Sequence, residues 1–171
     1  MSKYEEICKA NATVRENWSQ YRDRSWQRLW SIVNGLEAYC EIPPEMVTFL
    51  RWNEGAGDAR AYVEAENGMR YTLPGATVFD KDDGYWHLGL CITLSRPGAI
   101  PPQWVYFVLC VTELDGKPMV KVGVVGKPRQ IDFDSPEQLN ALYEYIFESV
   151  MKCFHDSNKD ASKPIGFVVG P

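Results

Sequence analysis

The clearest alternation of apolar and polar positions in this chain lies between residues 85 and 125. Three runs rich in apolar residues, at 85–94, 104–114 and 119–125, are separated by turn-forming sequence. The dipeptide Asp115-Gly116 between the second and third runs is a strong signal for a two-residue hairpin turn. The pattern therefore predicts a meander of three antiparallel strands, around which the rest of the chain is built.

The register of this meander follows from its turns. The pairs predicted across the hairpin are Val111–Val120, Leu109–Val122 and Phe107–Val124, and those predicted across the preceding loop are Leu94–Val105, Ile92–Phe107, Leu90–Leu109 and Leu88–Val111. All of these residues are apolar, and a slip of one residue would turn every side chain of a strand to the other face. One face of the meander is therefore predicted to be the core, covered by the two helices of the chain.

The opposite face, which we call the mixed face, is neither uniformly polar nor uniformly apolar. It carries Tyr85, His87, Gly89, Cys91 and Thr93, then Tyr106, Val108, Cys110 and Thr112, and finally Met119, Lys121 and Gly123. Small residues in its middle, with Tyr, His, Lys and Thr around them, would suit a concavity, a subunit contact or a second covering element.

A long helix is predicted over residues 3–34. Apolar residues recur at helical spacing in one broad stripe formed by Tyr4, Ile7, Val14, Trp18, Tyr21, Leu29, Ile32, Val33 and Leu36. Asn34-Gly35 is predicted to stop or kink the helix, since glycine tolerates the left-handed conformation found at helix ends. Trp26 and Trp30 lie on the shoulder of the stripe and are candidates for contact with a further element or a second subunit.

The second predicted helix spans residues 135–155. Ser135 is its N-cap, Pro136 its first residue and Gln138 the partner in a capping box. The tail, residues 156–171, is polar at first and then apolar at 165–169. Phe167 is therefore a candidate partner contact, with the tail docking as an edge strand or across a partner.

Weaker signals complete the predicted fold. They are a strand or short helix at 46–52, of which the strand is favoured, a hairpin with arms at 59–65 and 69–73 around Asn67-Gly68, and a short strand at 131–133. The chain is thus predicted to be a single α+β domain over residues 1–171. It would combine a curved antiparallel sheet of five to six strands, within 46–133, with the long N-terminal helix and the amphipathic C-terminal helix.

Composition excludes several classes of function. A net charge of −5 argues against a nucleic-acid binder and against attraction to an anionic membrane. No run of 18 apolar residues could span a bilayer. The five cysteines are widely spaced without a C-x-x-C pair, and no apolar leader is apparent, so reduced thiols and a cytoplasmic location are expected.

Candidate chemistry is sparse. The chain has two histidines without partners at ligand spacing, and it lacks phosphate-loop and nucleophile-elbow motifs, so we expect no metal and no cofactor. His87 and Cys91, four residues apart on one strand, would be about 13 Å apart. Cys110 on the next strand is expected to be only marginally closer to His87, so a thiolate–imidazole pair is not expected. The catalytic residues, if any, stay unknown.

Six tryptophans and the mixed face motivate the functional hypothesis. A small, partly apolar ligand would bind in an aromatic-lined pocket on that face. The candidate ligand-binding residues are Tyr85, Trp86, His87, Cys91, Trp104, Tyr106 and Lys121. One alternative is an interaction or self-associating module, most simply a homodimer, that uses Trp26, Trp30 and Phe167. Another is a small lyase or isomerase with one acid or base among Tyr85, His87, Tyr106 and Lys121.

Overall fold

The structure is a computed structural model that describes residues 2–52, 62–65, 69–94, 104–123, 126–157 and 167–168. The helices are α1 (Lys3–Tyr39), α2 (Leu73–Ala76) and α3 (Pro136–Ser157), and the strands are β1 (Val47–Trp52), β2 (Tyr62–Val63), β3 (Val78–Phe79), β4 (Trp86–Thr93), β5 (Trp104–Leu114), β6 (Lys117–Val122), β7 (Arg129–Gln130) and β8 (Phe167–Val168). A 3₁₀ turn at Pro44–Met46 leads into β1.

The strands form one open sheet that is antiparallel along the path β2-β1-β4-β5-β6-β7. Two short strands attach to this path: β3 pairs with β4, and β8 pairs with β5 in parallel. The α+β fold predicted from the sequence, with its long N-terminal helix, its C-terminal helix and an antiparallel sheet of about six strands, is confirmed. The backbone of β8 also agrees with the expectation that the tail docks as a strand.

The hairpin between β5 and β6 has the predicted register. Leu109 pairs with Val122. At the turn, Asp115 and Gly116 both have positive φ angles, 51° and 73°, as a type I′ turn requires. Val124, for which a pair with Phe107 was predicted, lies outside the described residues.

The predicted register between β4 and β5 is wrong by two residues. Leu90 pairs with Phe107 instead of Leu109, and Ile92 pairs with Val105. Because side chains alternate with a period of two along a strand, an error of two residues leaves every side chain on its predicted face. The face was therefore predictable, whereas the partner of each residue was not.

The core lies between the sheet and the two long helices, as predicted. Its fully buried members include Leu29 and Ile32 from α1, Leu142 and Ile146 from α3, and Leu88, Leu90, Val105, Phe107, Leu109 and Val111 from the sheet. Burying a side chain of this size contributes about 1.5–3 kcal/mol. This apolar interface holds the sheet against the helices.

Helix α1 is longer than predicted, because it continues through Gly35. Tyr143 of α3 lies directly against Gly35, and a Cβ atom at this position would overlap the phenol ring. Glycine therefore permits a close approach of two helices here. The helix ends only after Tyr39, where Glu41 adopts a left-handed φ of 53°.

The first part of α1 extends beyond the sheet. Tyr4, Ile7 and Val14 are 75%, 67% and 65% exposed, although their spacing predicted that they would help to cover the core. The buried residues of α1 all fall between Ser25 and Leu36. We call residues 3–18 the overhang. A capping box between Ser2 and Glu5 begins it.

Three local predictions need correction. Strand β2 pairs with β1, while residues 69–72 form no strand, so the predicted second arm of the hairpin is wrong; the Asn67-Gly68 turn itself lies outside the described residues. The short strand near residue 131 is instead Arg129–Gln130. At the start of α3, Ser135 caps as predicted, but the Gln138 side chain accepts from the Asp132 backbone rather than from Ser135.

Candidate functional site

The described side chains of the mixed face are mostly interior. Tyr85, His87, Cys91, Cys110 and Lys121 are all buried. Trp52 of β1 contributes to this burial, because its ring stacks on the imidazole of His87 with 5.4 Å between centroids. These residues therefore form a second, smaller interior on the side of the sheet away from the helices.

A polar row crosses three strands in this second interior. His87 of β4 pairs directly with Cys110 of β5, which pairs with Lys121 of β6. The Asp83 carboxylate completes the row: its Oδ2 atom lies 3.0 Å from His87 Nε2 and 2.9 Å from Lys121 Nζ. On the other side of the imidazole, Cys110 Sγ lies 3.6 Å from Nδ1.

The turn before β4 brings Asp83 to the row. Gly84 has a positive φ of 75°, and Asp83 Oδ1 accepts from the Tyr85 backbone N–H at 2.9 Å. Lys121 Nζ also lies 4.3 Å from the centroid of the Tyr85 ring, a distance suited to a cation–π contact. The ammonium thus has two partners, which offset the cost of its burial.

The expectation that His87 and Cys110 lie too far apart to interact is wrong. In the predicted register His87 would face Thr112, two residues further along β5. The observed register makes His87 and Cys110 direct neighbours. The resulting order, thiol–imidazole–carboxylate, is the order found in nucleophilic cysteine sites.

Electrostatics nevertheless keep the thiol in its protonated form. Burial raises the pKa of Cys110 to about 12, and it lowers the pKa of His87, so a neutral imidazole faces a neutral thiol at neutral pH. Desolvation acts to raise the pKa of Asp83, but hydrogen bonds from Lys121 and the Tyr85 backbone outweigh it and lower that pKa. Since a nucleophilic cysteine needs its thiolate form, this row acts as a buried polar network.

The same region contains a group with metal-ligand spacing. Asp80, Asp83 and His87 each offer one ligand atom, and the three atoms lie within 4.8 Å of one another. The Lys121 ammonium, 2.9 Å from Asp83, already supplies a positive charge at this point and would repel a cation. The geometry thus fits an ion pair better than a metal centre.

The other ligand-binding candidates lie apart from the row. Trp86 is on the core face, where Trp18 and Phe79 pack against it. Trp104 and Tyr106 are on the mixed face near the start of β5, with 6.5 Å between their ring centroids. Burial raises the pKa of Tyr106 to about 12. Phe167 belongs to β8, but its side chain lies outside the described residues.

An aromatic cleft lies on the helix side of the sheet, where α1 meets β1 and α2. Its volume is about 450 Å³, and its lining is almost wholly apolar. The residues that line it are Trp26, Gln27, Trp30, Phe49, Thr72, Leu73 and Pro74. Trp30 is 50% exposed at its mouth, so the cleft is open to solvent.

Short-range interactions hold the walls of this cleft in place. Thr72 caps the short helix α2 by accepting from the Gly75 backbone N–H at 3.3 Å, which presents Leu73 and Pro74 to α1. The Arg22 guanidinium lies 4.7 Å from the centroid of the Trp26 ring. The shoulder position of the two tryptophans signalled a contact surface in the sequence. Nothing in the sequence pattern indicated that Leu73 and Pro74 would face them.

The chain was compared with family models, curated proteins and solved structures, and none of them matches it. In the part of the chain that the structure describes, there is no helix with the length and apolarity needed to cross a membrane.

Proposed function

We propose that the protein binds a small, partly apolar ligand in the cleft between α1, β1 and α2. The observation that carries this proposal is an open, aromatic-walled cavity of about 450 Å³. Ligand sites typically have about 300–1,000 Å³, with apolar walls and a few polar groups. The proposal locates the ligand on the helix side because most of the described side chains of the mixed face are buried.

The lining suggests the chemistry of the ligand. The indole rings of Trp26 and Trp30, with Phe49 and Leu73, favour a flat or branched hydrocarbon group. The Gln27 amide at the rim can both donate and accept a hydrogen bond, which suits a ligand with one polar group. A compound with an aromatic or short branched apolar part and a single uncharged polar group fits these walls best.

The experiment is a calorimetric titration of the protein with a panel of such compounds, supported by tryptophan fluorescence. At least one compound should bind saturably to the wild-type protein. The Trp30→Ala variant should weaken this binding about tenfold, or about 1.4 kcal/mol, because it removes one wall of the cleft.

Trp104→Ala provides the matched control, since Trp104 is also partly exposed but lies on the opposite face of the sheet. Binding by this variant should stay within about twofold of wild type. A wild-type protein that binds none of the panel, or two variants with equal losses, would contradict the proposal.

We propose a second function, protein interaction, because the overhang of α1 supports it independently. Tyr4, Ile7 and Val14 expose a line of apolar side chains to solvent. Exposed apolar surface that clusters on one side of an element is typical of an interaction site. We also propose a cytoplasmic location; the free thiols of Cys8, Cys40, Cys91 and Cys110 support a reducing compartment.

A further inference from the structure

The exposed stripe of the overhang continues the face by which α1 packs on the sheet. Its residues recur at alternating steps of three and four: Tyr4, Ile7, Asn11, Val14, Trp18, Tyr21 and Ser25. This spacing places the residues along one side of the helix, as at positions a and d of a heptad repeat, and it is typical of a side that packs against another element. From Trp18 onward the same face meets Phe79 and Trp86 of the sheet. Before Trp18, no described residue covers it.

A covering element would stabilise the overhang. It amounts to about 24 Å of helix in water. It contains the weak helix formers Asn11, Thr13, Val14 and Asn17 among stronger ones such as Ala10 and Ala12. Most helical stability in proteins comes from packing of an apolar face rather than from propensity. The capping box at Ser2 and Glu5 stabilises the first turn, but it leaves Ile7 and Val14 exposed.

We infer that the overhang is covered by the overhang of a second copy of this chain, in antiparallel orientation. This inference deepens the interaction function proposed above and rests on it. The sheet of each copy determines the orientation. In a parallel pair the partner helix would run along α1 into the space that Phe79 and Trp86 occupy beside Trp18. In an antiparallel pair the body of each copy lies beyond the N-terminus of the other, and both overhangs pair along their length.

Charge and sequence fit a second copy. The overhang carries three basic residues and three acidic residues, so its two copies do not repel each other: Lys3, Lys9, Arg15, Glu5, Glu6 and Glu16. Asn11 lies midway between Tyr4 and Trp18. In paired helices, a polar residue at such a position fixes the register and the oligomer state at a cost in stability. Trp18, still 45% exposed, would be covered by the first turns of the partner helix.

The experiment measures the mass of the full-length protein by size exclusion with light scattering, from about 1 to about 100 µM. The expected mass at the upper end is twice the 19.5 kDa of one chain. The double variant Ile7→Glu/Val14→Glu should remain a monomer with unchanged near-UV circular dichroism, because both residues are exposed in the isolated chain. Thr13→Glu, on the opposite side of the overhang, is the matched control and should still dimerise.

Orientation is tested by disulfide trapping in a Cys8→Ser background. Mixing an Ile7→Cys variant with a Val14→Cys variant should give mainly the mixed disulfide if the helices are antiparallel. Disulfides only between identical variants would overturn the antiparallel geometry. Cys8 is exposed, so its replacement should not disturb the fold.

Amide hydrogen exchange distinguishes failure of this inference from failure of the interaction function. A monomeric wild-type protein with a protected overhang would overturn pairing with a second copy and leave the interaction surface available to a different protein. A monomer whose overhang exchanges at random-coil rates would overturn both, because the stripe would then exist on no stable helix.

Discussion

His87, Cys110 and Lys121 lie in one row across three strands, and the carboxylate of Asp83 reaches this row from the turn before β4. Each buried polar group in the row has a partner, so the cost of burying it is offset. The sequence identified the residues of the mixed face correctly. It did not identify the interaction between them, because that depends on which residues of β4 and β5 are opposite each other.

The row predicts a pH dependence of stability. Burial lowers the pKa of His87 below its ordinary value of 6.5, so the unfolded chain takes up a proton at a higher pH than the folded protein does. The contribution of His87 to the free energy of unfolding is therefore complete above the pKa that His87 has in the unfolded chain. It declines as the pH falls towards the lower pKa that His87 has in the folded protein. The lowered pKa of Asp83 adds a further loss at more acidic pH, below the ordinary carboxyl value of 3.8.

We expect the thermal midpoint, followed by circular dichroism, to fall as the pH decreases from about 7.5 to about 5.5. The His87→Gln variant should show a flatter profile over this range. His155→Gln, which replaces the other of the two histidines, should retain the wild-type profile. A profile that flattens with the His155 variant and not with the His87 variant would contradict this assignment.

Helices α1 and α3 are in contact at Gly35, which leaves room for a side chain of α3 because it has none of its own. Tyr143 lies against Gly35, with its hydroxyl group directed towards the Ser31 carbonyl oxygen at 3.5 Å. In the sequence, Asn34-Gly35 has the typical appearance of a helix end. Tertiary packing gives the glycine a different role, in which the missing side chain matters and the backbone stays helical.

Gly35→Ala tests this role. Helix propensity alone predicts that alanine would stabilise the helix by about 1 kcal/mol. We expect the opposite, a loss of about 1–3 kcal/mol in the free energy of unfolding, because the added methyl group would displace Tyr143. Urea denaturation measures the difference.

Asn34→Ala is the control, because Asn34 is the exposed neighbour in the same helix. This variant should leave the free energy of unfolding unchanged or raise it by about 0.5 kcal/mol at most. A Gly35→Ala protein as stable as the Asn34→Ala protein would show that the helix contact tolerates a side chain.

At the scale of the whole molecule, both faces of the sheet carry a cluster of buried side chains. The helix side holds the large apolar core, and the other side holds the smaller cluster of Tyr85, Val108 and Cys110. Strand β5 contributes to both, so its side chains alternate between the two interiors. This arrangement explains why β5 is apolar at nearly every position from 105 to 111 instead of alternating with polar residues.

The central position of β5 makes a prediction about stability. Leu109→Ala should cost about 2–5 kcal/mol in urea denaturation, because Leu109 is fully buried between the sheet and the helices and its truncation leaves a cavity. Leu114→Ala, at the exposed end of the same strand, should change stability by no more than about 0.5 kcal/mol. Similar losses for the two variants would be inconsistent with the helices covering this part of the sheet.

The sequence by itself determined the features that depend on neighbouring residues. The Asp115-Gly116 turn, the cap at Ser135, the amphipathic C-terminal helix and the assignment of side chains to the two faces of the meander all follow from local backbone preference and periodicity. The tertiary structure decided which residues meet across long stretches of chain. The sequence of the loop between β4 and β5 does not determine which residues of the two strands pair. A shift of two residues in this register is compatible with the same pattern, since it keeps the same side chains buried. The pairing of His87 with Cys110, the contact of Tyr143 with Gly35 and the cleft beside Trp30 therefore depended on packing between distant segments.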